Sequence, residues 1–219
     1  MKRLIIIVEG ATEQAFCESV LQPFFNMKGI DVRPSKIKKS KGGIVHWFSI
    51  KKQIENHLKQ DTKVFVTLMI DFYGIHDKHE FPGWQKSKLI ADKYKRVKFI
   101  EDAMLKDISE YLSRRFIPYI QLHEFEGLLF SDLNIYKEGF DDDEFLDYDY
   151  LVETVNEFDN PEMINDGKDT APSKRLENKI FKRYDKVVYG SLIAELIGLD
   201  KIRTKCSGFD VWIKKLSEI

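Results

Sequence analysis

Leu4-Ile5-Ile6-Ile7-Val8-Glu9-Gly10 is the stretch on which the fold turns. Five consecutive apolar residues, four of them β-branched, are too few for a membrane span, and a run this short closing on a carboxylate and a glycine suits a strand buried on both faces of a parallel sheet. The pattern returns at Val64-Phe65-Val66-Thr67-Leu68-Met69-Ile70-Asp71. Between the two runs, Phe16, Val20, Leu21, Phe24 and Phe25 recur at helical spacing, with Thr12 as the expected N-cap, Pro23 as the expected kink and Gly29 as the stop. Ile30 to Val32 reads as a short strand and Ile44 to Leu58 as a second helix. A strand-helix-strand series of this kind predicts an α/β protein with a mostly parallel sheet flanked by helices.

Further along, Phe72 to Gln85 lacks periodicity and reads as a long functional loop. One helix is predicted from Ser87 to Ser113, and a strand from Phe116 to Leu122 that Pro118 interrupts and places near an edge. It runs into His123-Glu124-Phe125-Glu126. Composition then shifts through Asp141-Asp142-Asp143-Glu144, read as an exposed loop or linker, to three helical pieces at 173–181, 191–197 and 210–217. Residues 1–135 are thus expected to form the α/β domain, with 136–219 a helical C-terminal extension packed on it. Phe209 and Trp212, spaced with Ile213 and Leu216, read as core anchors of the last helix.

Thirty-five basic and 36 acidic residues leave a net charge of −1, so no nucleic-acid partner is announced by the average charge. Local clusters keep that partner open. Lys36, Lys38, Lys39 and Lys41 alternate with serines ahead of Gly42-Gly43, and Lys174 and Arg175 follow Ser173, a candidate cap, at a helix start. Lys38, Lys39, Lys41, Lys174 and Arg175 are the candidate phosphate ligands; solvated surface explains the lysine loop equally well. Lys186, Arg203 and Lys205 either line the far wall of an acidic cleft or neutralise Asp166, Asp169 and Asp185. The two cysteines, Cys17 and Cys206, imply neither a disulfide framework nor a thiolate metal site, and with no membrane span a cytoplasmic location is expected.

In an open parallel sheet, ligands bind beyond the carboxyl ends of the strands, where Glu9, Asp71 and Glu124 are all expected. Carboxylates gathered there raise one another's pKa, a conflict that a divalent cation removes. Mg2+ or Mn2+ fits a sparse oxygen set completed by substrate phosphate. Glu9, Asp71 and Glu124 are the catalytic candidates, and Glu9, Asp71, Glu124 and Glu126 the metal ligands. Glu13, Tyr73 and His123 are candidate supports: Glu13 either binds through water or serves the helix N-terminus, and His123 is either a ligand or proton shuttle or a satisfied, half-buried histidine.

Val8-Glu9-Gly10-Ala11-Thr12-Glu13 resembles the Glu-Gly-x-Thr-Glu signature that opens Toprim domains of OLD-family nucleases, and Met69-Ile70-Asp71 resembles the strand bearing their Asp-x-Asp motif. Tyr73 stands where the second aspartate belongs, so Glu124 or Glu126 must replace it or one metal must suffice. The stretch 118–130, together with 164–167 and 171–175, is similar to a bacterial family of Toprim-like domains of unknown function, and the similarity runs nearly the full length. This resemblance implies a Toprim-like fold, magnesium at Glu9 and Asp71, and association with an ATPase partner in phage defence. Two functions follow: a metal-dependent nuclease or phosphotransfer enzyme, or a non-catalytic Toprim-like subunit of an ATPase-containing complex. Oligomeric state is left open.

Overall fold

A computed structural model of the chain describes residues 1–38, 43–164, 167 and 169–219. The strands are β1 (Lys2–Val8), β2 (Ile30–Lys36), β3 (Val64–Asp71), β4 (Phe116–Ile117) and β5 (Ile120–Gln121). All pair in parallel, in the order β2-β1-β3, with β4 and then β5 along the far side of β3. Pro34 sits in β2, an edge strand, where its missing N–H is tolerated. Pro118 splits the last strand in two, as the sequence suggested.

Alternation hidden inside the apolar runs sorts the core. Leu4, Ile6 and Val8 join one buried cluster, whereas Ile7 of β1 and Val64, Val66, Leu68 and Ile70 of β3 join another. Successive side chains of a strand point to opposite faces, so both faces of this sheet are covered. One cover is α3 (Trp47–Gln60) and α5 (Lys93–Asp107), presenting Ile50, Ile54, Leu58, Val97, Ile100 and Met104. The other comprises α1 (Ala11–Phe16), α2 (Gln22–Met27) and much of the C-terminal half, including α10 (Lys186–Ile197), α11 (Leu199–Lys205) and α12 (Ser207–Ser217). Smaller helices are α4 (Trp84–Ser87), α6 (Glu110–Ser113), α7 (Asn134–Gly139), α8 (Tyr148–Glu157) and α9 (Pro172–Arg175). No helix of the described residues is long and apolar enough to cross a membrane.

Several expected boundaries are corrected. Gly10, not Thr12, is the N-cap of α1, and its N–H donates to Glu13 Oε2 at 2.9 Å. Between α1 and α2 a π-turn, Cys17–Leu21, widens the helix ahead of Pro23, which has no N–H to give an ordinary turn. The single helix expected over 87–113 is interrupted: α4 ends at Ser87, and α5 and α6 follow as two separate helices. Asp92 caps α5 by accepting from Lys95 N–H, and Ile108 is extended and ends it. The long loop after β3 contains two 3-10 turns, Phe72–Gly74 and Asp77–His79. Helices α7, α8 and α11 were not foreseen.

Candidate active site

β2 pairs with β1 on one side and β3 pairs with it on the other, so the strand order reverses between β1 and β3. A crevice opens at the carboxyl ends of strands at such a reversal. Glu9 and Asp71 are the first residue past β1 and the last of β3. Asp71 N–H donates to Glu9 Oε2 at 3.3 Å. From the next segment, Phe125 N–H donates to Asp71 Oδ1 at 2.9 Å, and Tyr73 N–H to His123 O at 3.0 Å. The turn between β5 and this segment requires a left-handed backbone at His123, φ 63°, an arrangement that non-glycine residues adopt chiefly where surrounding contacts enforce it.

Glu13, Glu124 and Glu126 are buried, Glu126 completely. Glu124 Oε2 accepts from Ser173 N–H at 3.0 Å, in the first turn of α9. Glu126 Oε1 lies 2.9 Å from Lys186 Nζ at the start of α10, and Glu126 Oε2 has no hydrogen-bond partner among the described residues. Burial pushes the Glu9 carboxyl up to about 7, helped by the charge of Glu13 and opposed by the Asp71 N–H and Lys186. Burial, then Glu9, Glu13 and Glu126, hold Asp71 well above the usual carboxylate range. Glu126 rises to about 7 through burial, against the pull of Lys186. Lys186 is held more firmly charged than a free lysine: burial opposes this, but the charge of Glu126 prevails.

An all-oxygen set in which Glu9, Asp71 and Glu126 are all pushed toward the protonated form, Glu126 with an unmet buried acceptor, suits a divalent cation that would take the protons' place. The donor chemistry therefore fits magnesium or manganese, although no three His, Cys, Asp or Glu side chains of the described residues are disposed to grip an ion by themselves. Magnesium commonly takes one or two carboxylates and completes its shell with water and phosphate.

The other candidates separate. Tyr73 is 42% exposed, at the rim. His123 is buried, its Nε2 2.8 Å from Lys93 Nζ. Glu13 carries out the helix-terminus role through Gly10 while adding its charge to the cluster. Lys38 is exposed and follows Ile37, whose N–H donates to Val8 O, the residue before Glu9. Lys39, Ser40, Lys41, Gly42, Asn165 and Asp166 lie outside the described residues. Lys174, with Ser173, Glu177, Tyr184 and Lys186, lines a polar recess of about 310 Å³.

Arg175, a candidate phosphate ligand, does not face outward: it is buried, donates to Thr170 O and Thr154 Oγ1, and lies over the Tyr150 and Phe158 rings. Ser173 is likewise not the cap, since Ala171 occupies that position. Arg203 pairs with Asp210 and does not line the cleft wall. Sequence reasoning missed the close approach of two loops to Glu9. A Cβ on Gly74 would stand 3.5 and 3.6 Å from its carboxylate oxygens, and one on Gly43 3.8 Å from Oε1. The sequence signals were a glycine three residues beyond Asp71 and the Gly42-Gly43 pair.

A family profile described as Domain of unknown function (DUF4276) matches residues 8–217. The chain belongs to this family. Every carboxylate of the cluster, and Lys186, falls inside the DUF4276 match. No curated protein matches the chain at a significant level. Among solved structures, the C-terminal region of the Burkholderia pseudomallei OLD protein is similar at 14% identity, with 99% of each chain covered and a TM-score of 0.47. The C-terminal region of the Xanthomonas campestris pv. campestris OLD protein is similar at 15% identity, covering 99% of this chain and 97% of that one, with a TM-score of 0.36.

Proposed function

We propose that the chain is a Toprim-like nuclease that cleaves phosphodiester bonds with Mg2+ or Mn2+ at the Glu9–Asp71 cluster. One observation carries the reading: the Asp71 N–H to Glu9 Oε2 contact brings the ends of β1 and β3 together at the strand-order reversal. The Glu-Gly-x-Thr-Glu resemblance at 9–13 supports it. Glu9 and Asp71 would hold the ion, which when bound polarises a phosphoryl oxygen and acidifies water.

Phe125 N–H fixes Asp71, leaving its second oxygen for the ion. Glu126, one strand over, stands in for the carboxylate that Tyr73 does not provide, and Glu124 braces α9 through Ser173. Glu9, at the end of β1, is the group proposed to take a proton from attacking water. Lys186 and Lys174, on the recess beside the cluster, offer ammonium groups to substrate phosphate. Nucleic acid is the proposed substrate, an ATPase the proposed partner and phage defence the proposed setting. Purified protein with DNA or RNA and magnesium or manganese should cut, and Glu9→Gln should reduce the rate by at least about a hundredfold. Cleavage that survives the substitution would remove Glu9 from the chemistry.

A second reading, a non-catalytic subunit of an ATPase complex, has its own observation. Glu13, Asp71, Glu124 and Glu126 each already have an internal partner: Gly10 N–H, Phe125 N–H, Ser173 N–H and Lys186. Absence of cleavage, alone and with an ATPase, favours it.

A further inference from the structure

At the β4–β5 edge of the sheet, between α5 and α12, lies a cleft of about 210 Å³. Its walls are apolar: Val97, Pro118, Ile120, Leu122 and Trp212, with half-exposed Val211 beside them. One carboxyl lines this slot without being fully used. Glu101, only 7% exposed, accepts from Ile120 N–H through Oε1 at 3.0 Å, and Oε2 has no hydrogen-bond partner among the described residues.

The neighbouring polar groups are engaged. Tyr119 OH donates to Gln121 Oε1, Tyr94 OH to Glu162 Oε2, and Glu162 also receives Gly208 N–H and Phe209 N–H. Exposed Lys98, shared with Asp102, and exposed Lys215 complete the lining.

An acceptor in an apolar slot calls for a donor. Two ammonium groups disfavour a cationic ligand, so that donor belongs to a neutral group, and they favour an anion on the same molecule. Apolar walls and a carboxylate whose Oε1 keeps a second lone pair beside Ile120 N–H together suit an aromatic ring with two parallel N–H donors, a bidentate partner. Guanine presents this pair at N1 and N2, whereas adenine has an amino group with no donor beside it. Its phosphate would answer the lysines.

We propose that the α5–α12 cleft is a guanine nucleotide site, in which Glu101 receives the base edge and Lys98 and Lys215 receive the phosphate. Burial lifts the Glu101 carboxyl to about 7, against the Ile120 N–H and the charge of Lys215, so a pair of donors would convert a readily protonated acid to a bound carboxylate. The site is separate from the carboxylate cluster and does not depend on its chemistry.

Calorimetric titration of the full chain with GMP, AMP and a short single strand ending in a guanylate tests it. GMP should bind at least about tenfold more tightly than AMP. Glu101→Gln should erase that preference, and Lys215→Ala should weaken GMP while leaving guanosine unchanged. Val211→Trp, at a half-exposed position that tolerates bulk, should close the cleft to GMP without loss of fold. Binding of GMP itself assigns the site to a free nucleotide, and binding of the strand alone assigns it to nucleic acid; either supports the chemistry. No binding of either at millimolar concentration, equal binding of AMP, or indifference to both Glu101→Gln and Val211→Trp overturns the proposal.

Discussion

Glu101 shows how far a single buried carboxyl departs from solution behaviour. In the unfolded chain it titrates near 4.5, and in the fold near 7, because burial outweighs the Ile120 N–H and the charges of Lys215 and Lys98. Between those pH values the folded protein binds more protons, so stability falls as pH rises; this contribution is whole below about 4.5 and lost above about 7. Its ceiling is on the order of 3 kcal/mol. Glu101→Gln should flatten the stability profile over that interval, measured by urea titration at pH 5 and pH 8. An unchanged slope would show that the carboxyl titrates normally. Glu101 reads in sequence as an ordinary charge on a helix, since nothing local reveals that β5 arrives beside it.

Helix α10 joins local capping to the site. Asp185 Oδ1 accepts from Val187 N–H at 3.0 Å and Val188 N–H at 2.9 Å, fixing the turn from which Lys186 reaches Glu126. Asp185→Ala should cost about 1 kcal/mol by chemical denaturation and lower the affinity for substrate, read as a raised KM. Stability unmoved by the substitution would mean that water serves this terminus as well. The helical periodicity over 191–197 was legible because it is local, whereas Asp185 read only as a charge partner for basic residues and not as the cap. Boundaries were less legible: the π-turn follows from Pro23, where a kink was expected, but the break at Ile108 had no signal in the sequence spacing.

Across the whole molecule, one apolar cluster runs from Leu4 of β1 to Leu216 of α12. Phe16 of α1 stands 6.0 Å from Phe209 of α12, and Trp212 stacks on Tyr119 at 4.3 Å while its Nε1–H donates to Thr67 Oγ1 of β3 at 2.9 Å. The C-terminal helices therefore supply part of the sheet's own core. Trp212→Ala should cost about 3–5 kcal/mol and shift the far-ultraviolet and aromatic signals together. A separate early melting of the C-terminal half, with the sheet unaffected, would show that the two parts are stable independently.

By itself the sequence determined the α/β class, the two buried strands and the position of Glu9 and Asp71 at their ends, since a short apolar run closing on a carboxylate constrains the backbone locally. Only the tertiary structure decided that the strand order reverses between β1 and β3, that Lys186 pairs with Glu126 and that Arg175 turns inward. Those outcomes depend on contacts between segments far apart in the chain. Charge and hydropathy describe what a residue prefers, but which partner it meets is set by how the sheet and its covering helices pack.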